Sequence, residues 1–554
     1  MTLLYPILKN YRWHLLGILL LTLIFSLMGI GVLAFINNQL LQTTEYTAYL
    51  LWIFIALLAI FLISSIAAQI SLTALGHKLV YLLRKQLIKQ ILDSQTEHLH
   101  RLGKAKLLAS LSNDIHNIAM AFVRLPELLQ GTLLVICAGG YLYYLSEKLF
   151  FITALWLFVT VWVGNLAVKK VYAYLKVIRE AQDSLYQDYQ SAIEGHRELS
   201  LNRQRAQFYY EQELEKNAQA QYQGSIRADS YHVFAGNWTN VMVLGAVGMV
   251  FYLALSKNWT DLQTATTIAV TILFLRTPLI TAIGAFPMLL TAKVALDKLA
   301  HLSLVPYQDG FAIEQPLPKD WKQIRFENVT YQYRETNQSA VNFSLKPINL
   351  CLNRGELTFL IGKNGSGKST FSMLLAGLFR PTTGHIWVDD IEITANNQRA
   401  YQAQISAVFS DFYLFTQLLN NAGFADIKDV CQWLNQLQLE KKVQVENYRL
   451  STTNLSQGQR KRLALLINLL EQRPLLILDE WAADQDPTFR RTFYQVLLPL
   501  LKQQGHTIFA ISHDDHYFSL ADRLLLIQQG ELRELCGEER EMASRDAVEK
   551  LKSV

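Results

Sequence analysis

The stretch Leu357-Thr-Phe-Leu-Ile-Gly362-Lys363-Asn364-Gly365-Ser366-Gly367-Lys368-Ser369-Thr370 decides the fold of the second half of the chain. A run of apolar residues predicts a buried strand, the pattern GxxxxGKS follows it, and residues 371–378 have helical periodicity. Glycines let the backbone wrap closely around phosphate oxygens, and the helix N-terminus adds partial positive charge. The stretch therefore predicts a phosphate-binding loop in an α/β domain, with Lys368 at the β- and γ-phosphates and Ser369 at Mg²⁺.

A second apolar strand, at residues 475–478, ends in the acidic pair Asp479-Glu480. Alone, such a pair is typical of a solvated strand end. After a phosphate-binding loop it indicates nucleotide hydrolysis, because these are the groups that hold the metal and activate water. We expect Asp479 to hold Mg²⁺ through water and Glu480 to act as the general base.

Three further motifs occur in order around these two. Tyr333 lies in a strand-like segment before the loop, Leu455-Ser456-Gln457-Gly458-Gln459 precedes a helix, and His513 follows an apolar strand. Each has an ordinary explanation alone: a core aromatic, a helix start and a strand-end histidine. Together, and in this order, they resemble the motifs of an ATP-binding-cassette (ABC) ATPase.

The resemblance implies a role for each matching residue. Tyr333 would stack on adenine, and His513 would contact the γ-phosphate and steady the attacking water. The signature would cap the ATP held by the other subunit, and Asp486 would belong to the loop that links the two sites. The implied ATP-binding residues are Tyr333, Gly362, Lys363, Asn364, Gly365, Ser366, Gly367, Lys368, Ser369, Thr370, Leu455, Ser456, Gln457, Gly458, Gln459 and Asp486.

One position departs from the usual family pattern. The family generally has a glutamine after the strand at residues 407–409, where it approaches Mg²⁺ and signals to the membrane domain. This chain has Ser410, followed by Asp411. Two arrangements stay open for this side of the metal site: water bridges from the shorter Ser410 hydroxyl, or Asp411 contributes.

The first half of the chain contains six long apolar runs. Each approaches or exceeds the ~20 residues needed to cross ~30 Å of hydrocarbon. The runs lie at residues 13–35, 49–72, 125–145, 150–168, 233–255 and 264–290. They predict six membrane-spanning helices; the first run is too long for a signal-peptide core and is not followed by a small-residue cleavage site.

Basic residues are unequally divided between the segments that join these runs. On one face residues 37–48 contain none, and the next two loops hold only Lys148 and Lys257. The opposite face carries basic clusters within residues 78–124 and 169–227. Positive residues stay on the cytoplasmic side, so we expect both termini and the nucleotide-binding domain to be cytoplasmic.

The two basic segments have helical periodicity and are predicted to extend the membrane helices into the cytosol, with turns near 98–103 and 194–202. The alternative is a pair of amphipathic helices on the surface of an anionic membrane. Two such segments flanking paired spans fit projecting hairpins better. The predicted fold is an α-helical transmembrane domain of six helices with long cytoplasmic extensions, fused to an α/β P-loop ABC nucleotide-binding domain.

The amino-acid composition argues against several other classes of protein. The hydrophobic fraction of 51% excludes a disordered chain, and a net charge of +5 over 554 residues argues against a nucleic-acid partner. The four cysteines form no CxxC pair, so neither a disulfide framework nor a zinc site is indicated. Prolines and a glycine between 301 and 321 indicate a linker. We therefore expect a transmembrane domain at 1–300, a linker at 301–322 and the ATP-binding domain at 323–554.

Longer stretches narrow the resemblance. Six spans with helical extensions and a fused cassette resemble an ABC exporter half-transporter. The stretches at 122–127, 274–278, 478–487 and 510–518 are similar to the cyclic-peptide and siderophore exporter branch, which includes the efflux exporter of lasso-peptide microcins in enteric bacteria. This resemblance implies export of peptide-like compounds across the bacterial inner membrane. Whether an outer-membrane channel completes the route stays open.

One chain supplies one cassette, so the resemblance implies a homodimer with two composite ATP sites. Arg276 lies within the last apolar run, near Pro278 and Pro287, and a charge there indicates either a substrate cavity or a structurally paired or snorkelling side chain. Three other functions stay open: a multidrug or lipid exporter, an importer of peptides or cofactors, and a nucleotide-gated membrane regulator that transports nothing.

Overall fold

The computed structural model describes residues 11–40, 48–313, 315–333, 343–420 and 423–542. The chain divides into two compact units. The first comprises Met1–Lys89 and Ala105–Leu304, and the second comprises Gln90–Lys104 and Val305–Val554. The short segment around residues 90–104 therefore packs with the nucleotide-binding domain rather than with the membrane helices that flank it.

The first unit is helical, and so is the segment at residues 90–104, which belongs to the second unit. The helices are α1 (Arg12–Phe35), α2 (Ala48–Asp93), α3 (Thr96–Leu102), α4 (Lys104–Ala109), α5 (Ile115–Leu145), α6 (Glu147–Glu194), α7 (His196–Leu201), α8 (Arg203–Phe208), α9 (Glu215–Lys257) and α10 (Leu262–His301). Within the described ranges, six helical segments are long and apolar enough to cross a membrane. The prediction of six spans is confirmed.

Three of these segments are far longer than a bilayer requires. They contain 46, 48 and 55 residues, beginning at Ala48, Glu147 and Arg203. At 1.5 Å per residue a 46-residue helix extends about 69 Å, more than twice the ~30 Å hydrocarbon thickness. The predicted helical extensions are confirmed, and short helices occupy both predicted turns, with the first turn beginning at Ser94, slightly earlier than expected.

Small residues allow close packing between the membrane helices. On α9, Ala246, Val250 and Ala254 are buried together with Ala265 and Ile268 of α10. Such contacts replace the hydrophobic drive that is absent between helices in lipid. Helix α10 begins at a polar cap: the side chain of Asp261 accepts a hydrogen bond from the backbone N–H of Thr264 at 3.0 Å.

The second unit contains two main sheets and several short strand pairs. Its strands are β1 (Gln323–Gln332), β2 (Ser344–Asn353), β3 (Leu357–Ile361), β4 (Thr383–Val388), β5 (Ile391–Glu392), β6 (Ile405–Val408), β7 (Leu419–Asn420), β8 (Gly423–Phe424), β9 (Val445–Glu446), β10 (Arg449–Leu450), β11 (Leu475–Asp479), β12 (Thr507–Ile511), β13 (Arg523–Gln528) and β14 (Glu531–Leu535). One sheet has the order β2-β1-β4-β5 and is antiparallel. The larger sheet has the order β14-β13-β3-β12-β11-β6, and only its β14 edge is antiparallel.

The helices of this unit pack around the larger sheet. They are α11 (Lys368–Leu375), α12 (Gln398–Gln402), α13 (Ile427–Gln436), α14 (Gln457–Leu470), α15 (Pro487–Thr492) and α16 (Leu498–Gln503). One apolar core joins α11 to both sheets, and a second joins α13, α14 and α16 to the larger sheet. Strands β3, β11 and β12 are covered on both faces, which explains their continuous apolar sequences.

The parallel strands bring the predicted motifs to one edge. The phosphate-binding loop follows β3, Asp479 ends β11, His513 follows β12, and Ser410 follows β6. Ligands of open α/β sheets bind at the carboxyl ends of such strands. The topology therefore gathers residues that lie more than a hundred positions apart in sequence.

Candidate functional site

The loop between β3 and α11 requires glycine at its turning points. Gly362, Gly365 and Gly367 have φ values of 155°, 77° and 112°. A Cβ on Gly362 would lie 2.4 Å from the carbonyl oxygen of Ile527, and one on Gly367 would lie 2.7 Å from the side chain of Leu345. Only glycine fits both the backbone conformation and the space, as a phosphate-binding loop demands.

Lys368 is held inside this loop. Its Nζ donates to the carbonyl oxygens of Gly362 at 2.9 Å and Lys363 at 3.2 Å, and it lies 3.9 Å from Glu480 Oε1. Burial lowers the pKa of Lys368, whereas the nearby Glu480 and Asp479 carboxylates oppose that shift. The ammonium group is therefore poised among replaceable carbonyl contacts, where a nucleotide phosphate would bind it more strongly.

Glu480 and His513 form a direct pair. Glu480 Oε1 lies 3.0 Å from His513 Nε2, and both side chains are partly open to solvent. The backbone of Glu480 is left-handed, with φ of 49°, an uncommon conformation for a residue other than glycine. This geometry presents one carboxylate to both Lys368 and His513, as a base that activates water beside a γ-phosphate would need.

The metal-binding residues predicted from sequence lie around Asp479. Burial and the charge of Glu480 raise the pKa of Asp479, and a hydrogen bond from the backbone of Ser410 opposes this shift. The ammonium groups of Lys368 and Lys461 also oppose the shift, and both lysines are buried. Together with the hydroxyl of Ser369 at the start of α11, the two adjacent carboxylates form an oxygen-rich, acidic set that fits a divalent cation such as Mg²⁺.

A groove of about 480 Å³ runs along the loop. Its described lining residues include Tyr333, Asn364, Lys368, Ser369 and Glu480, so it joins the predicted adenine platform to the predicted catalytic acid. The hydroxyl of Tyr333 lies 3.1 Å from that of Thr370. The ring of Tyr333 also stands edge-on to Phe379, with centroids 6.1 Å apart. The volume suits a nucleotide-sized ligand.

The signature, residues 455–459, lies at the start of α14 and is not among the described residues that line this groove. Ser456 caps the helix: it accepts from the backbone N–H of Gln459 at 3.4 Å, and the Gln459 side chain accepts from Ser456 N–H at 3.3 Å. Ser456 and Gln457 are exposed. The helix N-terminus is therefore preformed and open to an anionic group supplied from outside this groove.

Asp486 is likewise placed away from the groove lining and is fixed by its own chain. It caps α15 by accepting from the N–H of Phe489 at 2.9 Å. This hydrogen bond, followed by the Arg462 guanidinium at 2.7 Å, lowers the pKa of Asp486. The structure thus brings Tyr333, the loop and Glu480 together, while the signature and Asp486 form a neighbouring group.

Sequence reasoning missed the residues that join these two groups. Lys461 and Arg462, both buried on α14, contact the segment that follows Glu480. A usable signal existed: Arg460, Lys461 and Arg462 stand side by side before the apolar run that forms the rest of the helix. Consecutive cations on a helix cannot all face solvent, because successive residues point about 100° apart.

The end of α2 and the turn helix α3 both contact the α/β domain within the second unit. Arg399 Nη2 lies 3.1 Å from Asp93 Oδ1 and donates to the Asp93 carbonyl oxygen at 3.3 Å. The ring of His100 stands edge-on to Phe379 at 6.2 Å. Since Phe379 also contacts Tyr333, one aromatic residue lies between α3 and the predicted adenine site.

Arg276 lies in the membrane unit with a single described side-chain partner. Its Nε donates to Asn240 Oδ1 at 2.9 Å, and its Nη2 donates to the same oxygen. The side chain is exposed, and its partner is neutral, so the positive charge is not balanced there. Pro278 follows on α10; the side chain of Pro287 lies outside the described residues.

Two family models match this chain. The ABC transporter transmembrane region matches residues 15–279, and the ABC transporter model matches residues 345–483. The first covers the membrane helices and the second covers the phosphate-binding loop, signature and acidic pair. Both predicted halves are therefore matched in the predicted order.

Similar proteins extend this finding over the full length. The ATP-binding protein SyrD of Pseudomonas syringae pv. syringae is 31% identical over 548 residues, covering 94% of each chain. An ATP-dependent lipid A-core flippase of Alkalilimnicola ehrlichii is 24% identical, covering 94% of this chain and 91% of its own. The nisin transport ATP-binding protein NisT of Lactococcus lactis subsp. lactis is 30% identical over 38% of this chain and 37% of its own.

Proposed function

The chain belongs to the ABC transporter family as an ATP-driven exporter, and we propose that it exports peptides. The proposed cargo is a cyclic or lasso peptide, or a siderophore-like compound, carried out across the bacterial inner membrane. One observation carries the proposal: Lys368, Glu480 and His513 converge beside a nucleotide-sized groove in a chain that also has six spans. The microcin-exporter branch, the peptide cargo and cytoplasmic termini belong to the same proposal.

The proposed hydrolysis relies on positioning and charge compensation. Backbone N–H groups of the loop and Lys368 would bind the β- and γ-phosphates, and Tyr333 would stack on adenine. Ser369 and, through water, Asp479 and Ser410 would hold Mg²⁺, which would supply Lewis-acid stabilisation of phosphate charge. Glu480 would accept a proton from the attacking water, and His513 keeps its carboxylate oriented at 3.0 Å.

We propose that two copies form a homodimer. The exposed signature does not line the groove beside the loop of its own chain. The simplest source of a signature that faces this groove is therefore a second copy of the chain. ATP between two cassettes would stabilise a closed dimer, and hydrolysis would remove that preference. Residues 1–300, 301–322 and 323–554 would serve as the transmembrane domain, linker and ATP-binding domain of each copy.

Coupling to the membrane helices would pass through the end of α2 and the turn helix α3. The Arg399–Asp93 ion pair and the contact of His100 with Phe379 support this route. Phe379 packs against Tyr333, so a change at the adenine site has a packed path to α3. Helix α2 carries the change onward, because it ends at Asp93 and is continuous back to Ala48.

Substrate selection is proposed to involve Arg276. An unbalanced charge on a membrane helix is costly in lipid, which favours a water-filled cavity or a polar cargo beside it. Peptide carbonyl and carboxylate oxygens are suitable acceptors for a guanidinium group. A lipid cargo is the second candidate, because a lipid A-core flippase is similar over nearly the whole chain and a lipid phosphate would satisfy the same cation.

Transport into inside-out membrane vesicles tests the proposal. Vesicles with the intact chain should accumulate a labelled lasso or cyclic peptide when ATP is added, and vesicles with Glu480→Gln should not. A lipid-exchange measurement on the same vesicles separates the flippase alternative. ATP hydrolysis without accumulation of any peptide or lipid would favour the regulator, and ATP-dependent loss of preloaded peptide would favour an importer.

A deletion strain identifies the cargo. Loss of the gene should raise the intracellular concentration of the transported compound when cells meet a panel of toxic peptides. Restoring the intact chain should reverse the accumulation, whereas restoring Glu480→Gln should not. Removing candidate outer-membrane channels in the same strain shows whether a partner completes the route.

A further inference from the structure

Lys461 is a buried cation that does not line the proposed nucleotide groove but contacts Glu480, which does. It lies on the second turn of α14, and only 3% of the residue is exposed. Its Nζ donates to the backbone carbonyl oxygen of Glu480 at 2.7 Å and pairs with Asp484 Oδ2, also at 2.7 Å. Moving an ammonium group out of water is costly unless hydrogen bonds and an opposite charge compensate it, and Lys461 has both.

The carbonyl that Lys461 contacts belongs to the strained residue of the site. Glu480 has the left-handed φ of 49°, and its N–H donates to the Ile511 carbonyl oxygen at 3.1 Å. The two hydrogen bonds hold the backbone on both sides of its Cα atom. They therefore set the direction in which the carboxylate leaves the chain, and that direction brings it to His513 and Lys368.

The same segment is attached to the start of α14 at two further points. Trp481 Nε1 donates to the Lys461 carbonyl oxygen at 2.9 Å, and Gln485 Nε2 donates to that of Gly458 at 3.1 Å. A Cβ on Gly458 would lie only 2.5 Å from the carbonyl oxygen of Asp484. The signature end of α14 and residues 480–486 are thus packed too closely to move independently.

We propose that Lys461 is a positioning residue for ATP hydrolysis, which acts through the carbonyl of Glu480 and fixes the direction of its carboxylate. The inference rests on the proposed role of Glu480 as the general base. In the proposed homodimer the signature faces ATP bound by the second copy. Lys461 then links the seating of the signature on one ATP to the alignment of the acid that hydrolyses the other.

Asp484 has a different part in this arrangement. Its side chain is 41% exposed, so water can solvate it when its partner is removed. Lys461 cannot be solvated in the same way. The contribution of the ion pair to stability and the contribution of the Glu480 contact to catalysis can therefore be separated by variants.

The test uses the full chain in lipid nanodiscs, with kcat, the KM for ATP and the melting temperature measured for each variant. Lys461→Met should lower kcat about tenfold or more while KM stays within about twofold, because it removes the charged donor that holds the Glu480 carbonyl and leaves the phosphate-binding loop unchanged. Asp484→Asn keeps the contact with Glu480, so it should lower kcat no more than about threefold. Lys461→Arg keeps a cationic donor and should retain more activity than Lys461→Met.

A double variant distinguishes positioning from a structural ion pair. Asp484→Asn alone leaves the buried Lys461 ammonium group without that carboxylate, which should lower the melting temperature. Adding Lys461→Met removes the buried charge, so the melting temperature should recover while kcat stays low. Recovery of kcat to half that of the intact chain would overturn the proposal, as would a fall in kcat/KM carried by KM alone. Lys346→Met is the control, since Lys346 pairs with Glu531 at 2.8 Å on the surface, and it should change neither quantity more than about twofold.

A second double variant separates this inference from the role of Glu480. If Lys461 acts through Glu480, adding Lys461→Met to Glu480→Gln should cause no further loss of residual turnover. Multiplication of the two losses would reject the positioning role. Full turnover in Glu480→Gln alone would reject the general-base assignment instead, which is a separate failure.

Discussion

The nucleotide-binding domain and the membrane unit differ in how they hold three of their cations: Lys368 and Lys461 in the first, and Arg276 in the second. In the nucleotide-binding domain Lys368 and Lys461 are almost completely buried, and each is held by carbonyl oxygens and carboxylates of its own chain. In the membrane unit Arg276 is exposed and held by one neutral side chain, Asn240. The single chain therefore contains a nearly complete set of phosphate-site groups, but only part of whatever balances Arg276.

This difference follows from what each site must do. A hydrolysis site gains rate from groups fixed in advance, since preorganised charges need no rearrangement during the reaction. A site that accepts and then releases a cargo must leave its charges available in one state and compensated in another. Substitutions in the membrane unit should therefore change transport strongly but selectively. Substitutions at the nucleotide site should abolish ATP hydrolysis itself.

Lys368→Ala should have the largest effect. It removes the ammonium group that the loop holds beside its carbonyl oxygens, so ATP turnover should fall at least about 100-fold, as for loss of a key transition-state donor. Phosphate release by the purified chain measures this directly. Lys502→Ala, which removes a half-exposed partner of Asp522, is the control and should remain within about twofold. Comparable losses in both variants would show that the comparison between fixed and open sites is wrong.

Arg276→Ala should come next. Loss of charge-assisted hydrogen bonds to a polar cargo should lower peptide-stimulated turnover and transport about tenfold, while basal ATP hydrolysis remains present. Lys at this position keeps the charge but not the planar donors and should give an intermediate value. Unchanged transport and resistance in Arg276→Ala would remove this residue from the substrate site and leave it with a structural role.

The sequence was sufficient for the local parts of this molecule. The strand, glycine loop and Lys368 are contiguous, and their geometry follows from glycine conformations and helix capping within a few residues. The spans follow from apolar length alone. This is why the membrane region and the α/β domain could be predicted from the sequence. The grouping of Lys368 with Glu480 joins distant segments, and it was predicted from the order of the motifs that resemble an ABC ATPase.

Contacts between distant segments could not be predicted in this way. Lys461 meets Glu480 because α14 packs beside the end of β11, and Arg276 meets Asn240 because α10 lies against α9. Neither pair has a sequence spacing that signals contact. Ser410 adds a further case: the sequence suggested a role for its hydroxyl, while the structure adds a hydrogen bond from its backbone to Asp479.

Arg399→Ala should have a smaller effect, on coupling rather than on hydrolysis. The Arg399 side chain is 44% exposed, but the side chain of its partner Asp93 is only 3% exposed, and the pair joins the end of α2 to the nucleotide-binding domain. Removing Arg399 takes a cation away from a buried carboxylate, so some stability should be lost as well. Peptide transported per ATP hydrolysed should fall about threefold, with basal hydrolysis within twofold. Arg533→Ala removes a more exposed pair with Glu539 and is the matched control. An equal fall in that variant, or an unchanged ratio in Arg399→Ala, would exclude the end of α2 as the coupling element through this contact.

Ser410→Ala should have the smallest effect. The backbone hydrogen bond to Asp479 does not depend on the side chain, so it survives the change and continues to oppose the raised pKa of that carboxyl group. Only the proposed water-mediated contact of the hydroxyl with Mg²⁺ is lost, and the proposed contacts of Ser369 and, through water, of Asp479 remain. The Mg²⁺ concentration for half-maximal ATP turnover should therefore rise no more than about threefold, as for loss of a contact worth ~0.6 kcal/mol. Asp411→Asn in parallel decides between the two arrangements of this side of the site: a larger shift there than in Ser410→Ala would assign the contact to Asp411. A tenfold shift in Ser410→Ala would instead make the hydroxyl a direct ligand, and the serine would then replace the usual glutamine in full.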